Sequence, residues 1–195
     1  MERVLLDEVI STDYGQFDLI WADEGGFDGD FDRFFRGQDN GLVGAADPSG
    51  VYLNLARRSG GSPIRIVHVD TAPSKPDPSW EDVVEVSITV PEASNVRWCS
   101  WAGENVGAID GLGAGTYRMR VSARGRDAGH AGEFDEESVD FYLAQLWLAP
   151  EEPDAVLRVG SSDAAYWHAE VGSRRSRAWR KPIREPAGTS SLGYE

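Results

Sequence analysis

The chain has 195 residues, 41% of them hydrophobic and 10% aromatic with seven Trp, and its formal net charge is −14. That length and apolar content exclude a disordered polymer and suit one domain with its own core. The short apolar runs exclude a membrane span, and the acidic start MERVLLDEV lacks the basic flank and apolar stretch of a signal peptide. A single cysteine, Cys99, excludes an internal disulfide and fits a reducing cytoplasm.

Charge is unevenly spread. Residues 1–50 carry twelve Asp+Glu against three Lys+Arg, and residues 127–154 carry nine acids with no Lys or Arg. The last 25 residues hold six bases against two acids, so a body near −18 adjoins a tail of +4. Such a body repels nucleic acid and speeds encounters with basic protein surfaces.

In chain order, Tyr14–Trp21 reads as a strand of aromatic and branched residues. The following segment Asp23–Asp32 sets Asp23, Glu24, Asp28, Asp30 and Asp32 in ten residues without a base. Asp28, Asp30 and Asp32 alternate as calcium ligands do, but Arg33 and Asp39 stand where a calcium loop begun at Asp28 needs Gly and Glu. A solvated loop or a partner-binding acidic patch is the better reading, and no metal site is expected. Phe31–Arg36 suits a short helix.

Val51–Leu55, Ile64–Val69 and Val84–Val90 read as strands, the last stopped by Pro91. Between the last two, Thr71–Trp80 is a proline-rich loop. Cys99 lies in Val96–Trp101, another strand, where buried thiols are commoner than nucleophiles. Trp98 and Trp101 are three apart, too close for one face of an ideal strand; core packing of both is expected, with one in the core and the other an exposed anchor as the alternative. Gly111–Gly115 precedes a strand and not a helix, so it is a turn and not a phosphate loop. Along Tyr117–Arg124, Tyr117, Met119, Val121 and Ala123 share one face, and Arg118, Arg120 and Arg124 share a face expected to be solvated.

Glu133, Asp135, Glu136 and Glu137 form a second acidic group ahead of Asp140–Leu148, an apolar segment expected to be a central strand, with a helix as the alternative. A second helix is expected over Asp163–Ala169, capped by Ser161 or Ser162. Beyond Gly172 periodicity fades. The expected organisation is therefore residues 1–171 as an acidic β-sandwich of two antiparallel sheets with one or two short helices. Residues 172–195 follow as a basic, exposed tail with Arg174, Arg175, Arg177, Arg180 and Lys181 as its contacts.

No motif of a nucleophile elbow, phosphate loop or dinucleotide site occurs, and His68, His130 and His168 are isolated, so no catalytic residue and no cofactor is expected. Four segments carry a resemblance to a known family. Tyr14-x-Gln16-Phe17, Gly44–Asp47 with Gly50–Tyr52, Val86–Pro91 and Leu112-x-x-Gly115-x-Tyr117-Arg118 resemble, in order and spacing over residues 10–150, the competence protein J family of bacterial DNA-entry nuclease inhibitors. The resemblance implies a small protein that binds and silences a nuclease or toxin, an activity of inhibitor or immunity type. Two alternatives stand beside it: a hydrolase or carbohydrate-active sandwich with paired carboxylates, and an assembly subunit whose basic tail grips neighbouring acidic copies.

Overall fold

The fold was obtained as a computed structural model and is described for residues 1–22, 25–132 and 137–179, the last five by backbone alone. Among the described residues eleven strands fall in two sheets. Strands β1 (Glu2–Asp13), β5 (Ser59–Val69), β6 (Asp82–Val90), β9 (Gly115–Arg124), β10 (Phe141–Leu148) and β11 (Ala155–Arg158) make the first, in the order β1-β5-β10-β9-β6-β11. Strands β2 (Gln16–Ile20), β3 (Val43–Gly44), β4 (Gly50–Asn54), β7 (Arg97–Ser100) and β8 (Val106–Ala108) make the second, in the order β3-β4-β2-β7-β8.

The sheets pack face to face because alternate residues on each are apolar. Phe17, Leu19, Val51, Leu53 and Trp98 of the second sheet share one buried cluster with Ile64, Ile66, Val84, Val86, Met119, Val121, Ala144 and Leu146 of the first. The expected sandwich is thus the observed one. Its expectation of purely antiparallel sheets is corrected at one seam, where β10 runs parallel to β5 with Tyr142 opposite Ile64 and Leu146 opposite His68. A parallel pair needs a long crossover, and all the chain from β6 to α2 (Arg126–Ala131) lies between those two strands.

The solvated face expected on β9 is also corrected. Arg118 and Arg120 are buried, because Glu85 of β6 receives both guanidinium groups (Nε to Oε2 3.2 Å and Nε to Oε1 2.8 Å), the proline-rich loop lies over Arg120, its Ser74 carbonyl accepting from Nη1 at 2.6 Å, and the Glu152 carbonyl accepts from Arg118 Nη1 at 3.0 Å; Arg124 is exposed as expected. Sequence period alone assigns the face but not what covers it.

Two helices matter for the second sheet's outer face. Helix α1 (Phe31–Phe34) begins at Asp30, whose carboxylate accepts the Arg33 amide. Helix α3 spans Ser162–Trp179, with the Ser161 hydroxyl accepting the Ala164 amide at 3.0 Å, so the expected start holds while the helix passes well beyond Ala169 and Gly172. Together they cover β2 and β4 with an aromatic cluster. Phe27 stacks on Tyr52 (4.0 Å between centroids), and Phe31 stacks on Phe35 and on Trp167 (5.6 and 5.5 Å).

Candidate partner-binding surface

The outward face of β2 carries Gln16, Asp18 and Ile20, all buried beneath the segment that leads to α1. Asp18 is the unusual one. Its Oδ2 accepts from Gln16 Nε2 at 2.6 Å, from the Phe27 amide at 3.2 Å and from Cys99 Sγ at 3.7 Å, while its Oδ1 is buried without a partner. Loss of water lifts this carboxyl from 3.8 to about 6, against the pull of its hydrogen bonds. Burial and the neighbouring carboxylate push the Cys99 thiol up to about 12. A thiol so placed is no nucleophile, as the sequence reading expected of it. Gln16 also donates to the Phe27 carbonyl at 3.1 Å, so this polar centre ties the acidic segment down onto β2.

The acids of that segment do not converge on a cation. Asp23 and Glu24 lie outside the described residues. Asp28 accepts the Asp30 amide at 3.1 Å and pairs with Arg33 at 3.1 Å, and these contacts hold its carboxyl below the usual range. Asp30 caps α1, and Asp32 faces Arg174 of α3 at 3.5 Å. Among the described residues no group of three His, Cys, Asp or Glu side chains could hold a metal ion. What the three carboxylates share is exposure: they line an acidic ridge over the second sheet in which Arg33 and Arg174 pair with Asp28 and Asp32.

Of the second acidic group, Glu133, Asp135 and Glu136 lie outside the described residues. Glu137 is exposed, and its carbonyl accepts from the fully buried Arg57 at 3.0 Å. Of the expected tail contacts, Arg174 pairs with Glu170 at 3.0 Å as well as with Asp32, within the same chain. The side chains of Arg175 and Arg177, and all of Arg180 and Lys181, lie outside the described residues.

The buried acids are engaged in holding the fold. Asp163 receives Arg126 Nε and Nη2 at 2.9 and 2.5 Å, and Arg126 also donates to the Asn54 carbonyl at 2.8 Å. Asp140 accepts from Ser62 and Tyr142 hydroxyls at 2.7 and 2.8 Å, and Asp82 accepts from the Gly160 and Ser161 amides. Sequence reasoning missed Asp18, Arg57 and Arg126, since a charge buried by tertiary packing looks like any surface charge in a list of residues. His168 accepts the Gly41 amide on Nδ1 at 2.9 Å, and burial lowers its pKa, so it is a neutral strut between α3 and the second sheet.

The surface grooves are shallow. One of about 200 Å³ lies between α1 and α3 over Phe31, Phe35 and Val171. Another of about 270 Å³ gathers Glu151, Glu152 and Asp154, but Asp154 Oδ2 is taken by the Asp39 and Asn40 amides at 2.9 and 2.8 Å.

No family model and no curated protein matches the chain. Among solved structures, ComJ from Bacillus subtilis, the inhibitor of the DNA degrading activity of NucA, superposes with a TM-score of 0.55 at 19% identity, covering 76% of this chain and 99% of that one. The chain shares the ComJ fold. The crocagin biosynthetic gene J product also aligns, with a TM-score of 0.46 and 15% identity over 77% of this chain and 99% of its own. Among the described residues no helix is long and apolar enough to cross a membrane.

Proposed function

We propose that this chain is a non-catalytic, inhibitor-type protein that binds a basic DNA-degrading nuclease in the cytoplasm and blocks its phosphate-binding surface. The observation that carries the reading is the superposition on ComJ over 99% of the ComJ chain. The charge of the chain supports it: a nuclease site is built to receive phosphates, and a chain of net charge −14 presents the same sign of charge, with Asp28, Asp30 and Asp32 exposed on the loop and helix over the second sheet. Inhibition by occupation needs no reacting group on the inhibitor, in keeping with a thiol held protonated and buried acids each engaged by donors of the fold.

The test is a DNA-degradation assay on nuclease fractions of the native host, with the purified chain added in excess. The expected result is loss of DNA cleavage, relieved as salt rises from about 50 to about 500 mM because the charges are screened. Undiminished cleavage in every fraction at low salt refutes the proposal.

A further inference from the structure

At one end of the sandwich four connections meet: the turn into β2, the link from β4 to β5, the 3-10 turn Trp101–Gly103 after β7, and Glu137 ahead of β10. There the rings of Tyr14 and Trp101 lie 5.0 Å apart, 58% and 37% exposed, and the Arg58 guanidinium sits 4.9 Å from the centre of the Tyr14 ring. Val106, at the start of β8, adds an exposed apolar side chain. Neither aromatic ring belongs to a buried cluster, so the pair does little for the core.

The backbone is strained to present them. Tyr14 has φ +55°, and Ala102, next to Trp101, has φ +52°. These are left-handed conformations that turns ordinarily fill with Gly, Asn or Asp. A tyrosine there is costly for folding, and observed strain at an exposed aromatic points toward a contact. Tyr, Trp and Arg side by side are also the residue types that dominate interface energetics. The charges at this end fix the sign of the partner. Asp13 accepts the Ser59 hydroxyl, Glu104 is exposed beside Trp101, and exposed Glu137 is tied by its carbonyl to Arg57, the neighbour of Arg58. These three carboxylates outweigh Arg58.

We infer that this end of the sandwich docks a basic protein surface, with Tyr14 and Trp101 as the central anchors and Asp13, Glu104 and Glu137 as its acidic rim. Cationic side chains of the partner lie on the aromatic faces, where ring and carboxylates attract them together. The inference rests on the binding-protein reading of the chain and adds the place and the anchors, which the acidic ridge at Asp28–Asp32 does not specify.

The experiment places photoreactive benzoylphenylalanine at positions 14 and 101, and for comparison at 157 and 166, where Leu157 and Tyr166 are exposed elsewhere. The full chain is irradiated in its native host. The expected result is one basic protein cross-linked from 14 and 101 and not from 157 or 166. With that protein purified, Tyr14→Ser and Trp101→Ser each weaken binding about 30-fold with an unchanged Tm, and Trp101→Phe restores most of the loss. Cross-links confined to 157 or 166, no cross-link from any position, or full affinity in both Ser variants overturns the inference. A basic partner without nuclease activity, caught from 14 and 101, upholds the docking site and refutes the nuclease proposal. A nuclease caught only from 157 or 166 does the reverse.

Discussion

Replacing Asp18 with Asn should flatten the pH dependence of stability between pH 4 and 7. Asp18 is 1% exposed, and its carboxyl titrates near 6 in the folded chain against 3.8 ordinarily. The folded state therefore keeps the proton to higher pH than the unfolded state does. Its contribution is fully present below about 4, is lost as pH rises through about 6, and is constant above that. At about 1.4 kcal/mol per pH unit, the span from 3.8 to about 6 comes to roughly 3 kcal/mol lost by neutral pH. Asparagine stays neutral, and its Oδ1 can accept from Gln16, Phe27 and Cys99 as the Asp18 Oδ2 does, while its amide takes the place of the partnerless oxygen. Urea unfolding of both proteins at intervals from pH 4 to 7.5 measures the effect. The parent should lose about 3 kcal/mol relative to Asp18→Asn across that range. Curves that stay parallel would show that Asp18 titrates alike in the folded and unfolded chains, as a solvated carboxyl does, against the buried geometry described above.

Breaking the buried pair by Asp163→Asn or Arg126→Met should cost about 3–5 kcal/mol in denaturant titration, because the remaining charge is left without its partner. Gly15→Ala should destabilise by about 2–4 kcal/mol, since Gly15 has φ +65° and a Cβ there would run into the Leu55 carbonyl oxygen; a Tm equal to the parent's would contradict that backbone path. Cys99 should resist a disulfide reagent at pH 8 in the folded protein and react fully once unfolded, because its thiol is buried and its pKa is pushed up to about 12. Rapid native labelling would place the thiol at the surface.

Strand positions were legible in the residues because alternation has a period of two wherever one face is buried. Val84–Val90 and Tyr117–Ala123 show it, and their apolar faces enter the core as expected. Strand β1 was not legible: in Glu2–Asp13 only Leu6, Ile10 and Thr12 are buried, so an edge strand with water on most of its length shows no clean alternation. The full length of α3 escaped for the opposite reason, since Gly172–Arg177 is polar and the helix is held from its packed first half, where Trp167 and Val171 meet Phe31 and Phe35.

By itself, then, the amino-acid order determined a strand-rich core, the start of α3 at a serine cap, a structural Cys99 and an acidic body, because each depends on neighbours in the chain or on composition. Only the tertiary structure decided that Asp18 is starved of water, that Arg57 and Arg126 are internal, and that Tyr14 meets Trp101 across 87 positions of chain. Burial and contact between distant segments depend on which surfaces the sheets cover, and that is a property of the packed whole and not of any local pattern.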